Sequence, residues 1–291
     1  MDKETQRSLI AIPIILIIAA GIAFAGSQGG AARFGLPLFA WGVVLAFSIQ
    51  WIAFIPAYLK RTEHFFDLTG SITYLSVTAL AVLFSPAVDS RSILLLALIS
   101  LWALRLGTFL FRRIRAAGED RRFREIKKSF PRFLLTWTLQ GLWVTFSLAA
   151  ALAAITSELR IQAGAFAIVG ALVWLIGFAI EVVADQQKSK FKADPKNEGR
   201  FIRSGLWAWS RHPNYFGEIV LWIGIAVIAL PVLRGWQWVT LISPVFITLL
   251  LTKISGVPML EARADEKWGG QPDYETYKAD TSVLIPLPPK K

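Results

Sequence analysis

Cysteine is absent from the 291-residue chain. That excludes disulfides, thiolate metal ligands, iron–sulfur clusters and a cysteine nucleophile, and it leaves the redox compartment unread. Histidine occurs only as His64 and His212, which lie in different loops, so a zinc site would need carboxylates to complete it and is not expected. G-x-G-x-x-G, the Walker P-loop, H-E-x-x-H and G-x-S-x-G are all missing, which removes the usual sequence signs of dinucleotide-binding Rossmann folds, P-loop NTPases, zincins and α/β-hydrolases. Charge is scarce as well, with Asp, Glu, Lys and Arg together at 18% against the usual quarter or so. Internal repeats and low-complexity segments are not found.

Apolar sequence is abundant. Hydrophobic residues make up 55% and mean hydropathy is +0.52. A membrane span needs about twenty largely apolar residues, and eight stretches qualify: Leu9–Ala25, Leu36–Leu59, Phe65–Phe84, Ile93–Phe111, Phe133–Ile155, Ala165–Ala184, Tyr215–Leu233 and Trp236–Lys253. Apolar residues occupy every face of most of them, as expected for helices in lipid. The fold class is therefore an all-α polytopic membrane bundle. Twelve tryptophans and twenty phenylalanines fit aromatic belts at the interfaces.

The net charge of +11 raises the question of nucleic acid, but the location of the cations answers against it. Nine basic residues fall between the fourth and fifth spans and seven between the sixth and seventh, while the odd-numbered loops carry one each: Arg33, Arg91, Arg160 and Arg234. Such alternation is a topology signal, and it places both termini and the two long basic loops in the cytoplasm, in a bacterial inner membrane. Lys3, Arg7, the first apolar run and Ala23-Phe24-Ala25 before Gly26 also resemble a signal peptide. Cleavage there would leave seven spans with the same orientation downstream. After Lys253 comes a tail of mixed polarity, expected to pack on the cytoplasmic loops.

Two basic stretches carry the candidate chemistry. The first, from Arg112 to Arg132, holds arginines and lysines beside Glu119-Asp120; topology and anionic lipid headgroups explain such a loop, and guanidinium forks also suit nucleotide phosphates. The second, Asp185 to Glu218, is more specific. Pro213 biases His212 toward extended backbone, and Asn214 is placed to cap the next helix. Capping does not explain Glu218, which enters an apolar span, nor Arg211 and His212 beside it. Glu181 and Asp185, one turn apart at the end of the preceding span, make the same case, because carboxylates are costly in a membrane segment. They are suited to hydrogen-bond a ribose or amide while nearby cations take phosphates.

The run Arg211-His212-Pro213-Asn214-Tyr215-Phe216-Gly217-Glu218 resembles the signature of the membrane steroid 5α-reductase and sterol reductase superfamily. The nearest likeness is to bacterial multi-pass proteins with a steroid 5α-reductase-like C-terminal domain. Asp185-x-Gln187-Lys188-x-x-Phe191-Lys192 is similar to the Asn-x-Gln-Lys-x-x-Phe-Arg of sterol reductases, and Leu139-Gln140-Gly141 looks like a short family element. Arg263-x-Asp265-x-Lys267-Trp268-Gly269, Tyr274-x-x-Tyr277 and Ile285-Pro286 resemble the family's ending. The likeness covers roughly Trp102 to Pro286, dividing the chain into N-terminal helices (1–100) and a steroid 5α-reductase-like domain (101–291).

The resemblance implies a membrane enzyme that binds NADPH from the cytoplasm in a non-Rossmann site built by the loops and tail. It would deliver hydride to an activated C=C bond of a lipophilic, steroid-like or isoprenoid substrate. Carried over by position, Asp185, Arg200, Asn214 and Glu218 would contact the nucleotide. Lys188, Lys192, Arg211, His212 and Tyr215 are further candidates, and Tyr277 and Lys278 would close over it. The family's Glu and Tyr that polarise the substrate carbonyl have no plain counterpart here. Trp102 stands where the Tyr aligns and lacks a phenolic proton; Gln50, Glu63, Asp67 and Tyr74 are polar residues that would substitute, with Glu63 and Tyr74 as the named candidates. An isoprenylcysteine carboxyl-type methyltransferase using S-adenosylmethionine has a similar Arg-His-Pro-x-Tyr-x-Gly run and is the alternative. A carrier without enzymatic activity is the third class, although the discontinuous helices and repeats of transporters are not evident.

Overall fold

The structure, a computed structural model, describes residues 3–289; the side chains of Ala117 and Arg121, the latter part of the first basic loop, lie outside the described set. It is an all-α polytopic bundle in which, among the described residues, eight helices are long and apolar enough to cross a membrane. The chain packs as two compact units: residues 1–167 with 228–243, and residues 168–227 with 244–291.

In the first unit, α1 (Lys3–Gly26) leads through a short antiparallel pair, β1 (Ala32–Arg33) and β2 (Leu36–Pro37), into α2 (Leu38–Leu59), α3 (Phe66–Phe84), α4 (Ser90–Ala117) and α5 (Phe130–Thr156). At the centre is α5. Every residue from Ser147 to Ser157 is buried, and Ala149, Ala150, Ala151, Ala153 and Ala154 lie among them. Small side chains let neighbouring helices approach closely, which is how helices associate where lipid supplies no hydrophobic driving force.

The two ends of this unit differ in charge. At one end His64 Nε2 lies 2.6 Å from the Gly118 carbonyl oxygen and Arg132 pairs with Glu4 at 2.8 Å, so the ends of α2, α4 and α5 meet the start of α1 there. The basic run from Arg112 belongs to this end. At the other, Arg160 lies 3.7 Å from Asp89 and Arg91 donates to the Ile161 carbonyl at 3.0 Å. The lone arginines of two odd-numbered loops thus come to this end, and Asp89, the partner of Arg160, caps α4 by accepting from the Ser92 amide at 2.8 Å.

The second unit contains α6 (Ala165–Ala193, from Ile168), α7 (Pro213–Ala229, to Val227), α8 (Ile242–Leu249, from Pro244), a π-helical turn at Leu250–Ile254, α9 (Gly256–Trp268) and α10 (Pro272–Asp280). Two helices run on past the expected apolar spans. The sixth helix does not end at Ala184 but continues two turns to Ala193, because a helix that leaves hydrocarbon can go on in water, and Lys190 and Lys192 favour its C-terminal dipole. The eighth candidate likewise passes beyond Lys253 into α9, redirected by the π turn, where a Cβ on Gly256 would stand 2.5 Å from the Leu251 carbonyl oxygen and 2.8 Å from the Tyr215 ring. Only glycine permits that bend.

Candidate functional site

Extension of α6 sets the register of the second unit's polar side chains. Glu181, Asp185, Lys188 and Lys192 follow each other at intervals of four, three and four residues, the spacing of a single helix face. Glu181 and Asp185 are buried, whereas Lys192 is exposed. A glycine seam joins this helix to α7. A Cβ on Gly177 would lie 2.5 Å from the Gly217 carbonyl oxygen and the Leu221 amide, and one on Gly224 would lie 2.6 Å from the Gly170 carbonyl oxygen and the Trp174 amide. Seven residues separate the glycines of each helix, so the backbones touch twice along their length.

That closeness brings Asp185 to Asn214. The Asn214 amide Nδ2 donates to Asp185 Oδ1 at 3.2 Å. Helix α7 begins at Pro213, with proline in the first turn where its missing N–H costs nothing. Asn214 is therefore inside the helix rather than its expected cap, and its side chain crosses to α6. One turn on, Glu218 is buried on α7.

Behind this pair, Arg211 and His212 share one carboxylate. Arg211 Nη1 lies 2.9 Å from Glu261 Oε2, and His212 Nε2 lies 2.8 Å from Glu261 Oε1. The imidazole stacks on Tyr215, with centroids 5.7 Å apart and planes 10° from parallel. Burial pushes the His212 pKa down, and Glu261 opposes that. Sequence reasoning missed Glu261; the signal available was that it is the only charged residue between Gly256 and Ala262. In this cluster the buried polar atoms Asn214 Oδ1, His212 Nδ1 and Arg211 Nε have no hydrogen-bond partner among the described residues. Buried polar groups are nearly always satisfied, so such a concentration points to a ligand or bound water.

The tail is fastened to the segment before Arg211. The Arg211 amide donates to the Ser282 carbonyl at 2.8 Å, and Ser210 Oγ donates to the Leu284 carbonyl at 2.8 Å. Tyr277 and Lys278 do come to this region, but both have structural partners: the Tyr277 hydroxyl donates to the Trp207 carbonyl at 2.7 Å and Lys278 pairs with Asp265 at 2.6 Å. Lys188 lies over the Trp207 ring, 4.2 Å from its centroid. Gln187 docks the loop that follows α6 by accepting from the Leu206 amide at 3.0 Å, in the space left by Gly205, whose φ is +62°. Arg200 is exposed, just after Gly199, and no described side-chain contact brings it to Asp185 or Asn214.

Glu63, Tyr74 and Trp102 belong to the first unit. Glu63 is 3% exposed, accepts from the Asp120 amide at 2.9 Å and pairs with Lys127 at 2.6 Å, so it pins the first basic loop. Tyr74 is deeper. Its hydroxyl is 2.5 Å from Ser147 Oγ, and its ring meets Trp102 edge to face at 5.0 Å. Gln50, fully buried, donates to Thr73 Oγ1 at 2.8 Å. Gln140 of the short family element donates to the Phe66 carbonyl at 3.2 Å.

Together these features define a multi-pass helical membrane protein whose second unit gathers carboxylate, amide, imidazole and guanidinium groups without a Rossmann fold. The chain belongs to the family described as protein of unknown function (DUF1295), whose sequence model matches residues 53–281. Among curated proteins it is similar to steroid 5-alpha-reductase DET2 of Gossypium hirsutum, 30% identical over 118 residues, which is 40% of this chain and 41% of that protein. It is similar to 3-oxo-5-alpha-steroid 4-dehydrogenase 1 of Rattus norvegicus, 26% identical over 172 residues, covering 56% of this chain and 59% of the relative. Delta(14)-sterol reductase of Arabidopsis thaliana is 31% identical over 96 residues, 30% of this chain and 23% of the relative. The chain thus spans less than two thirds of the length of each. No solved structure matches it.

Proposed function

We propose that this protein is an NADPH-dependent membrane reductase acting on an activated C=C bond, of enone type, in a lipophilic substrate. The observation that carries the reading is the Asp185–Asn214 hydrogen bond beside half-buried Arg211 and buried His212, with polar atoms of Asn214, His212 and Arg211 left unsatisfied among the described residues. The similarity to proteins named as steroid 5-alpha-reductases and a sterol reductase supports it.

The donor and acceptor set fits a dinucleotide. Asp185, Asn214 and Glu218 offer groups for ribose hydroxyls and an amide, while Arg211, Lys188 and Lys192 offer cations for phosphates. When bound there, NADPH supplies hydride. The chain's own task at the substrate is to stabilise negative charge on a carbonyl oxygen and to provide a proton. Tyr74 is the residue suited to that, a buried phenol against Trp102 with Ser147 as its hydroxyl partner. The aligned tryptophan would then shape the pocket while the phenol comes from the neighbouring helix. The charge asymmetry of the first unit supports an orientation with the basic end in the cytoplasm.

Titration of the purified, full-length protein with NADPH, and separately with S-adenosylmethionine, tests the reading. Saturable NADPH binding that weakens on Asn214→Ala is expected. Binding of S-adenosylmethionine alone would replace the reductase with a methyltransferase.

A further inference from the structure

At the basic end of the first unit there is a cavity of about 240 Å³ lined by the apolar residues Ala53, Pro56, Ala57, Phe65 and Trp137 together with Lys60 and Thr62. Neither Tyr74 nor Trp102 nor any residue assigned above to the nucleotide lines it. From its walls and the charges around it, we infer that it holds the acyl chain of an anionic phospholipid whose headgroup phosphate is met by Lys60 and Arg61.

Three observations carry this. First, the walls are apolar and the volume is below the roughly 300–1,000 Å³ of pockets that bury whole small molecules. The cavity is suited to a length of hydrocarbon chain rather than to a ring system. Second, the charges around it are unevenly matched. Lys127, Arg122, Arg124, Lys128 and Arg132 are each paired with a carboxylate. Lys60 and Arg61, together with Arg112 and Arg115, are exposed and have no carboxylate at ion-pair distance among the described residues. Phe65 stacks on Phe111, with centroids 6.0 Å apart, so the end of α4 that carries Arg112 adjoins the cavity. Juxtamembrane cations of this kind attract anionic headgroups.

Third, the backbone between two of the lining residues, Lys60 and Thr62, is fixed in place. Arg61 is held with φ at +48°, a conformation uncommon for residues other than glycine. It is fixed by its amide donating to the Tyr58 carbonyl at 3.1 Å.

The full-length protein in nanodiscs of phosphatidylcholine, doped with phosphatidylglycerol carrying a diazirine on its acyl chain, provides the test. Crosslinks are expected on peptides containing residues 53–65 or Trp137, at least fivefold above those from an equally labelled phosphatidylcholine. Lys60→Gln with Arg61→Gln, both exposed positions, should abolish the preference for phosphatidylglycerol. Ala53→Trp, which fills the cavity, should remove labelling by either lipid there. Equal labelling by both lipids in the unaltered protein, or crosslinks spread over the other helices, would overturn the inference. Suppression by an equal concentration of free glycerol 3-phosphate would also overturn it, by identifying a site for soluble phosphate esters. The outcome is independent of whether NADPH binds.

Discussion

Asn214 donates to Asp185 across 3.2 Å, joining two helices whose backbones touch at Gly177 and Gly217. The contact is made by side chains, but it is the glycines that set its length, since neither helix can approach the other so closely over a Cβ. Asp185 and Asn214 are thus the polar end of an apolar seam.

Substituting either member of the pair is expected to weaken NADPH binding. Loss of one hydrogen bond to a charged group costs about 1.5–3 kcal/mol, so Asn214→Ala and Asp185→Ala should each raise the dissociation constant by roughly 10- to 150-fold. Because they share one contact, the double variant should lose less than the sum. Isothermal titration on detergent-purified protein measures all three.

Gly177→Ala is expected to damage the same site from a distance. The added Cβ would meet backbone atoms at 2.5 Å, which cannot rotate away as a side chain can. Overpacking of this sort costs about 1–3 kcal/mol, so the melting temperature should fall and NADPH affinity should fall with it. Alanine at Gly21, which has open space around it, should change neither.

His212 makes stability depend on pH. Burial lowers its pKa in the folded protein below the ordinary value of about 6.5, against the opposing effect of Glu261 and with Lys188 and Arg211 reinforcing it. In the window below 6.5 the unfolded chain binds the proton and the folded chain does not. Stability from this group is therefore full above that pH and declines as pH falls toward the folded pKa. Thermal unfolding between pH 7.5 and 5.0 should show a larger loss for the unaltered protein than for His212→Gln. Glu261→Gln should carry the decline to lower pH.

Glu63 and Tyr74 should separate by readout. Glu63→Ala leaves Lys127 without its buried partner and the Asp120 amide without its acceptor, and breaking such a pair costs about 3–5 kcal/mol. Its main effect should be on melting temperature. Tyr74→Phe keeps the ring against Trp102 and removes only the hydroxyl, so turnover should fall by roughly 10²-fold or more with little change in stability. Enone reduction assays beside thermal scans distinguish the two.

Much of this architecture was legible in the sequence because lipid imposes it. Runs of twenty apolar residues and an alternation of charged loops leave few folds to consider, and all eight candidate spans are helices. The run from Arg211 to Glu218 was visible as a cluster for the same reason, since polar side chains beside apolar helices are conspicuous. What escaped was longer-range. Glu261 joins Arg211 and His212 only because a π turn at Leu250–Ile254 redirects the chain, and no local pattern announces that turn. Asn214 read as a cap because its neighbourhood resembles one, yet its partner lies twenty-nine residues away on α6. Tyr277 and Lys278, which resemblance assigned to the nucleotide, have partners in Trp207 and Asp265 that only the folded tail supplies.

The cluster around Asp185 and Asn214 is proposed to hold NADPH. Equilibrium binding of NADPH to the folded, full-length protein, compared with its Asn214→Ala variant, tests it most directly. Saturable binding at one site per chain, weakened at least tenfold by the substitution, is the result expected here. A folded and monodisperse sample that binds no NADPH, or binds it equally well without the Asn214 amide, would contradict it.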